Sequence, residues 1–149
     1  MQNVESLFHK YHNDVYRLAV SYTQSIQEAE DVCQEVFLKL VEQKQLQPGK
    51  EKAWLMQVTV NQCRSLLRSN WWKKTVPLED TLTDTPFHGN DILKVVLALP
   101  PKYRVVVYLH YYEGYSTREI SKLLKISQTA VTTRLARARD TLKVQLEEV

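Results

Sequence analysis

The sequence predicts an all-α protein: two small helical domains joined by a flexible acidic linker, with a helix-turn-helix in the C-terminal one. Three observations lead there. Apolar residues recur at three- and four-residue spacing through most of the chain, and no strand-like alternation competes with them. Only 3 of the 149 residues are glycine, in a background rich in helix-favouring Leu, Gln, Glu, Lys and Arg. Residues 75–91, TVPLEDTLTDTPFHGND, contain two prolines, one glycine, four threonines and four acids without any period, the composition of a linker. The expected division is 1–74, a linker over 75–91, and 92–149.

Each helix has its own signal. The first is expected from Val4 to Tyr22, with Leu7, Phe8, Tyr11, Val15, Leu18 and Tyr22 on one face. A capping box, Ser25 with Glu28, opens the second, which runs to about Lys44. QKQLQPGKE turns the chain, and a third helix covers Glu51 to Ser69. Beyond the linker a short helix is expected over 91–98. After the Pro100-Pro101 break another runs from Pro101 to Tyr112, ended by Gly114. Ser116 and Glu119 form a second capping box, for a helix reaching about Lys125. Ser127 caps the last helix, on which Val131, Leu135, Ala138 and Leu142 face inward.

The net charge of +3 conceals a pattern. Residues 1–49 carry 4 basic and 7 acidic groups, residues 50–75 carry 6 and 1, residues 76–91 carry none and 4, and residues 92–149 carry 10 and 5. Two basic blocks suit two contacts with a polyanion, whereas the acidic first third suits a different partner. No apolar run approaches the roughly 18 residues of a membrane span, and MQNVESLFHK is not a signal peptide. A cytoplasmic protein without membrane insertion is expected. Cys33 and Cys63 stand apart, without a CxxC or a histidine at ligand spacing, and read as two buried thiols. No metal and no cofactor is expected.

Three helix faces remain to be explained. On the last helix Gln128, Thr129, Thr132, Thr133, Ala136 and Arg137 point outward. Threonine gains little on a solvated helix face. Its hydroxyl and methyl can meet base edges in the major groove, and alanine can meet the thymine methyl. Arg134, Arg137 and Arg139 stand where phosphates would flank such a helix. The competing reading is a plain amphipathic hairpin. Lys125 occupies the tight turn where glycine is frequent, at a cost of about 1 kcal/mol if its φ is positive.

On the second helix Ala29, Val32, Cys33, Val36, Phe37 and Leu40 form the core stripe. Asp31, Gln34, Glu35 and Glu42 lie opposite, with Leu38 among them, which is an apolar centre with a polar rim. Lone exposed leucines are also common. On the third helix Gln57, Asn61, Arg64 and Arg68 form one polar stripe, and Trp71-Trp72-Lys73-Lys74 follows. Amide and basic groups beside aromatics suit a phosphate backbone and unstacked bases. A buried helix with one wet stripe is the alternative, and Trp54 reads as core.

Taken in order, EAEDVCQEVFLKL, KAWLMQVTVNQCRSLLR and LPPKYRVVVYLHYYEGYSTREISKLLKISQTAVTTRLARAR resemble the extracytoplasmic-function group of bacterial sigma factors of the sigma-70 family. The three motifs cover most of residues 5–145. The resemblance implies a subunit that directs core RNA polymerase to promoters. Asp31, Gln34, Glu35 and Leu38 match the surface that meets the polymerase clamp helices. The loop near 43–50 and the third helix, with Asn61, Arg64 and Arg68, match the part that opens and reads the minus-10 element. Gln128, Thr129, Thr132, Thr133, Arg134, Ala136, Arg137 and Arg139 fall on the minus-35 reader. The implied partners are core polymerase, through clamp helices and flap, then promoter DNA, and an anti-sigma factor as a further candidate. Two departures stand out: Ser65 occupies a position where the family often has aspartate, and Trp71 and Trp72 interrupt the basic run.

Two other classes compete with this one. A stand-alone helix-turn-helix regulator leaves the Asp31/Leu38 patch without a purpose. An enzyme such as a nuclease needs clustered Asp, Glu and His, and His9 and His12 have no carboxylate partner beyond Asp14.

Overall fold

A computed structural model describes residues 4–43, 46–70, 96 and 98–147. Among them there is no strand. The chain divides into two compact units, Met1–Thr75 and Val76–Val149. The linker over 75–91 and Trp71 to Lys74 lie outside the described residues.

In the first unit α1 (Val4–Thr23), α2 (Ile26–Glu42) and α3 (Glu51–Asn70) pack against one another in every pairing. The core is Leu7, Val15 and Leu18 of α1, Val32, Val36 and Leu40 of α2, and Leu55, Met56 and Val60 of α3. All six residues assigned to the α2 core stripe are buried. The α1 stripe is wetter than its spacing suggests: Tyr11 is half-buried and Phe8 is 38% exposed. Trp54, read as core, is also only half-buried.

Only one half of the α2 capping box forms. Ser25 Oγ accepts from Glu28 N–H at 3.2 Å, while the Ser25 N–H donates to Thr23 Oγ1 at 3.2 Å. α1 ends at Gln24, whose φ of 55° is left-handed and whose N–H donates to the Val20 carbonyl at 2.9 Å. Glycine ordinarily takes that position, and nothing in the sequence marks this one. Cys33 and Cys63 are free, buried thiols. Burial, assisted by Glu30, raises the Cys33 thiol to about 12, and burial raises Cys63 further. Such thiols are poor nucleophiles.

The second unit contains α4 (Pro101–Val107), a π-turn (Tyr108–Tyr112), α5 (Thr117–Leu124) and α6 (Gln128–Glu147). The helix expected over 91–98 falls almost wholly outside the described residues, although Val96 is helical and buried. Pro101 sits at the start of α4, where its missing N–H costs nothing. The uninterrupted helix expected to Tyr112 instead widens after Val107. There the Glu113 N–H reaches back five residues to the Tyr108 carbonyl, at 3.1 Å. Gly114, with φ 75°, then ends the segment as its position predicts.

Among the described residues Arg104 is the largest fully buried side chain, at 1% exposure, and its Nη1 donates to the Leu99 carbonyl at 2.5 Å. Burial lowers its guanidinium to about 10. The arginine of the LPPKYR motif is thus a structural residue that ties the turn before Pro100 to α4.

Candidate functional site

The outward face of α2 is as its spacing predicts. Asp31, Gln34, Glu35 and Glu42 are exposed, and Leu38 stands among them at 56% exposure. The structure adds Val41, 63% exposed one turn from Leu38, and Phe8 of α1. Phe8, Phe37, Leu38 and Val41, with His12 and Tyr16, line a groove of about 810 Å³ between α1 and α2. Phe8 meets Phe37 edge-on at 5.0 Å and His12 at 4.6 Å. Reading α2 alone found Leu38 and missed the groove, because half of the groove belongs to α1. His9 does have a carboxylate neighbour, contrary to expectation: Glu5 Oε1 lies 3.9 Å from its Nε2. Among the described residues no three His, Cys, Asp or Glu side chains are grouped to hold a metal.

On α3 the polar stripe is real. Asn61 and Arg68 are exposed, and Gln57 and Arg64 are half-buried. Gln57 Nε2 donates to Asn61 Oδ1 at 3.2 Å, which orients the amide. At the next residue Lys39 Nζ donates to Gln62 Oε1 at 3.0 Å, tying α2 to α3.

The helix-turn-helix forms from its local signals. Both bonds of the Ser116–Glu119 capping box are present, at 2.9 and 3.1 Å, and the Ser116 backbone N–H, helped by the Ser116 hydroxyl, holds the Glu119 carboxyl below its usual range. Ile120, Leu123 and Leu124 are buried, as expected. Lys125 turns the chain with φ 57° and ψ 45°, so the strain foreseen for this residue is present. Across the turn Ser121 Oγ donates to the Ile126 carbonyl at 2.6 Å. Ser127 Oγ accepts from the Ala130 N–H at 3.0 Å and starts α6.

Val131, Leu135 and Ala138 of α6 are buried, whereas Leu142 is half-buried. Gln128, Thr129, Thr132, Thr133, Ala136, Arg137 and Arg139 are exposed, and Arg134 is half-buried. Gln128 Nε2 donates to Thr117 Oγ1 of α5 at 2.9 Å. Thr132 Oγ1 donates to its own helix at the Thr129 carbonyl, 2.9 Å away, so it faces outward with its acceptor lone pairs and methyl. The fold thus leaves a run of short side chains, bordered by arginines, at the start of a well-capped helix. A major groove admits such a helix.

The comparisons with known proteins agree with this arrangement. The Sigma-70 region 2 family matches residues 7–73, and the Sigma-70, region 4 family matches residues 89–142. The ECF RNA polymerase sigma factor SigM of Bacillus subtilis is 31% identical over 94% of this chain and 93% of its own length. The ECF RNA polymerase sigma factor SigE of Mycolicibacterium smegmatis is 29% identical over 96% of this chain, which spans 61% of that protein. Among solved structures, the sigma factor RpoE from Bartonella quintana, in complex with the anti-sigma factor NepR, has a TM-score of 0.75. That match covers 94% of each chain at 19% identity, a likeness of fold. CnrH, solved with the cytosolic domain of CnrY, has a TM-score of 0.64 over 97% of this chain and 88% of its own, at 22% identity. The chain belongs to the extracytoplasmic-function RNA polymerase sigma factors of the sigma-70 family, alternative sigma factors that direct transcription initiation.

Proposed function

We propose that this sigma factor works in the cytoplasm, without catalytic chemistry of its own, by dividing three contacts among three helix faces. Asp31, Gln34, Glu35 and Leu38 of α2 dock on the clamp helices of core RNA polymerase. Asn61, Arg64 and Arg68 of α3 meet the minus-10 element as it opens. On α6 Gln128, Thr129, Thr132, Thr133 and Ala136 read the minus-35 bases, with Arg134, Arg137 and Arg139 on the flanking phosphates. The domains are 1–74 and 92–149, and residues 75–91 span the distance between the two promoter elements inside the enzyme. An anti-sigma factor is a further partner, in line with the complex of the sigma factor RpoE with the anti-sigma factor NepR.

The observation that carries this reading is the outward face of α2. An apolar centre in a rim of acids has no use in a protein that only binds DNA, since the acids would repel the phosphates. Among the described residues no helix is long and apolar enough to cross a membrane. The test is retention of core polymerase by the purified full chain, followed by transcription from promoter fragments that core enzyme alone does not use. Failure to retain core polymerase would sink the proposal.

A further inference from the structure

We propose that Tyr111 is a positioning residue of the minus-35 interface, holding Arg139 of α6 ready for the DNA backbone. The proposal rests on reading that arginine as a phosphate contact. It adds that its direction is set from outside the helix-turn-helix, by the segment that precedes it.

Arg139 Nη1 donates to the Tyr111 hydroxyl at 3.0 Å, across 28 residues of sequence. Arg139 is exposed, and Tyr111 is itself 54% exposed. A tyrosine so open contributes little to a core. Its ring is instead braced at the rim: His110 packs against it at 4.8 Å, nearly perpendicular, and His110 Nδ1 is held 2.8 Å from the Tyr115 carbonyl.

The π-turn accounts for the placement of Tyr111. One extra residue in the turn shifts everything after Val107 relative to α4, and such turns recur at functional sites. Two bonds fix this widened turn. The Tyr115 N–H donates to the Leu109 carbonyl at 2.9 Å, and the Tyr108 hydroxyl donates to Glu113 Oε1 at 2.7 Å. The tyrosine is therefore presented by backbone that is already committed.

A guanidinium has five donors in a rigid fork. A phenol oxygen occupies one of them and leaves the others for phosphate oxygens, while removing much of the rotamer freedom that binding would otherwise have to freeze. An exposed hydrogen bond of this kind adds little to folding stability, so its effect should appear in DNA binding and not in the melting temperature.

The test uses holoenzyme assembled from the full chain and core polymerase, on fragments it selects from a randomised minus-35 library, with affinity measured across salt. Four proteins are compared: wild type, Tyr111→Phe, Arg139→Ala and the double variant. Tyr111→Phe should weaken every fragment about three- to ten-fold, the cost of ordering one long side chain, and leave the salt slope unchanged because no charge is lost. Arg139→Ala should make the log–log slope shallower by about 0.9. In the Arg139→Ala background Tyr111→Phe should do nothing further.

A Tyr111→Phe loss that persists without Arg139 would overturn the proposal, since the phenol would then touch DNA or support the fold. Wild-type affinity for Tyr111→Phe, with Arg139→Ala impaired, would overturn it too. If Arg139→Ala itself keeps wild-type affinity and slope, the phosphate reading of Arg139 fails first, and the positioning role falls with it.

Discussion

α2 and α6 are close in length and built on the same plan, and they differ only where the fold does not use them. Each buries one stripe: Val32, Val36 and Leu40 in α2, Val131, Leu135 and Ala138 in α6. The opposite face of α2 holds acids around Leu38 and Val41, and the opposite face of α6 holds threonines, an alanine and arginines. The buried stripes are interchangeable in kind and say only that each helix packs. The outward faces differ in charge and in side-chain size, and they carry the information about partners. An acidic rim with an apolar centre suits a basic, partly apolar protein surface, and short side chains among arginines suit a groove lined by phosphates.

That contrast can be tested in order of expected effect. The largest effect should come from a residue on neither face. Arg104→Ala should destabilise the chain by about 2–4 kcal/mol in a urea titration, because it leaves a cavity and strips the Leu99 carbonyl of its buried donor. A loss under about 1 kcal/mol would mean that the turn before Pro100 is held by something else. Next, Asp31→Ala combined with Leu38→Ala should weaken core-polymerase binding by about 1–3 kcal/mol. Unchanged affinity would remove the functional half of the contrast from α2.

On α6, Thr133→Ala should change which minus-35 sequences are preferred, with about 1–3 kcal/mol concentrated at one or two base positions. Arg134→Ala should weaken all promoters about equally. Transcription from a minus-35 library decides between them, and a uniform loss for Thr133→Ala would show that this residue is not a base reader. The smallest effect is on stability. Leu38→Ala and Thr133→Ala should each shift unfolding by no more than about 0.5 kcal/mol, since both side chains are exposed.

Much of this was legible in the sequence, for a physical reason: helices with one wet face announce their core by spacing, and capping residues announce their ends. The α2 stripe, the Ser116–Glu119 box, the turn at Lys125 and the outward set of α6 all follow from positions within one turn of each other. Features that depend on distant partners were not legible. Arg104 reads as a surface charge until the Leu99 carbonyl is seen beside it. Phe8 and Val41 carry core-type side chains, and only the packing of α1 against α2 leaves them open. The π-turn has no composition of its own, so Tyr111 could not be placed beside Arg139.

The groove between α1 and α2 has a consequence for the sigma factor when no partner is bound. Phe8, Leu38 and Val41 then form an apolar opening that invites other molecules, including a second copy of the same chain. A pair of copies related by two-fold symmetry would set each patch against itself, bringing Asp31, Glu35 and Glu42 of one copy against the same acids of the other. Like charges across such a contact are repulsive, whereas a basic partner is drawn in. On the docking role proposed for it, the acidic rim is also a barrier to self-recognition. That barrier is electrostatic, and at about 1 M salt the screening length shrinks to roughly 3 Å. High salt should therefore have opposite effects on the two ends of the molecule, releasing α6 from DNA while allowing free chains to pair through α2.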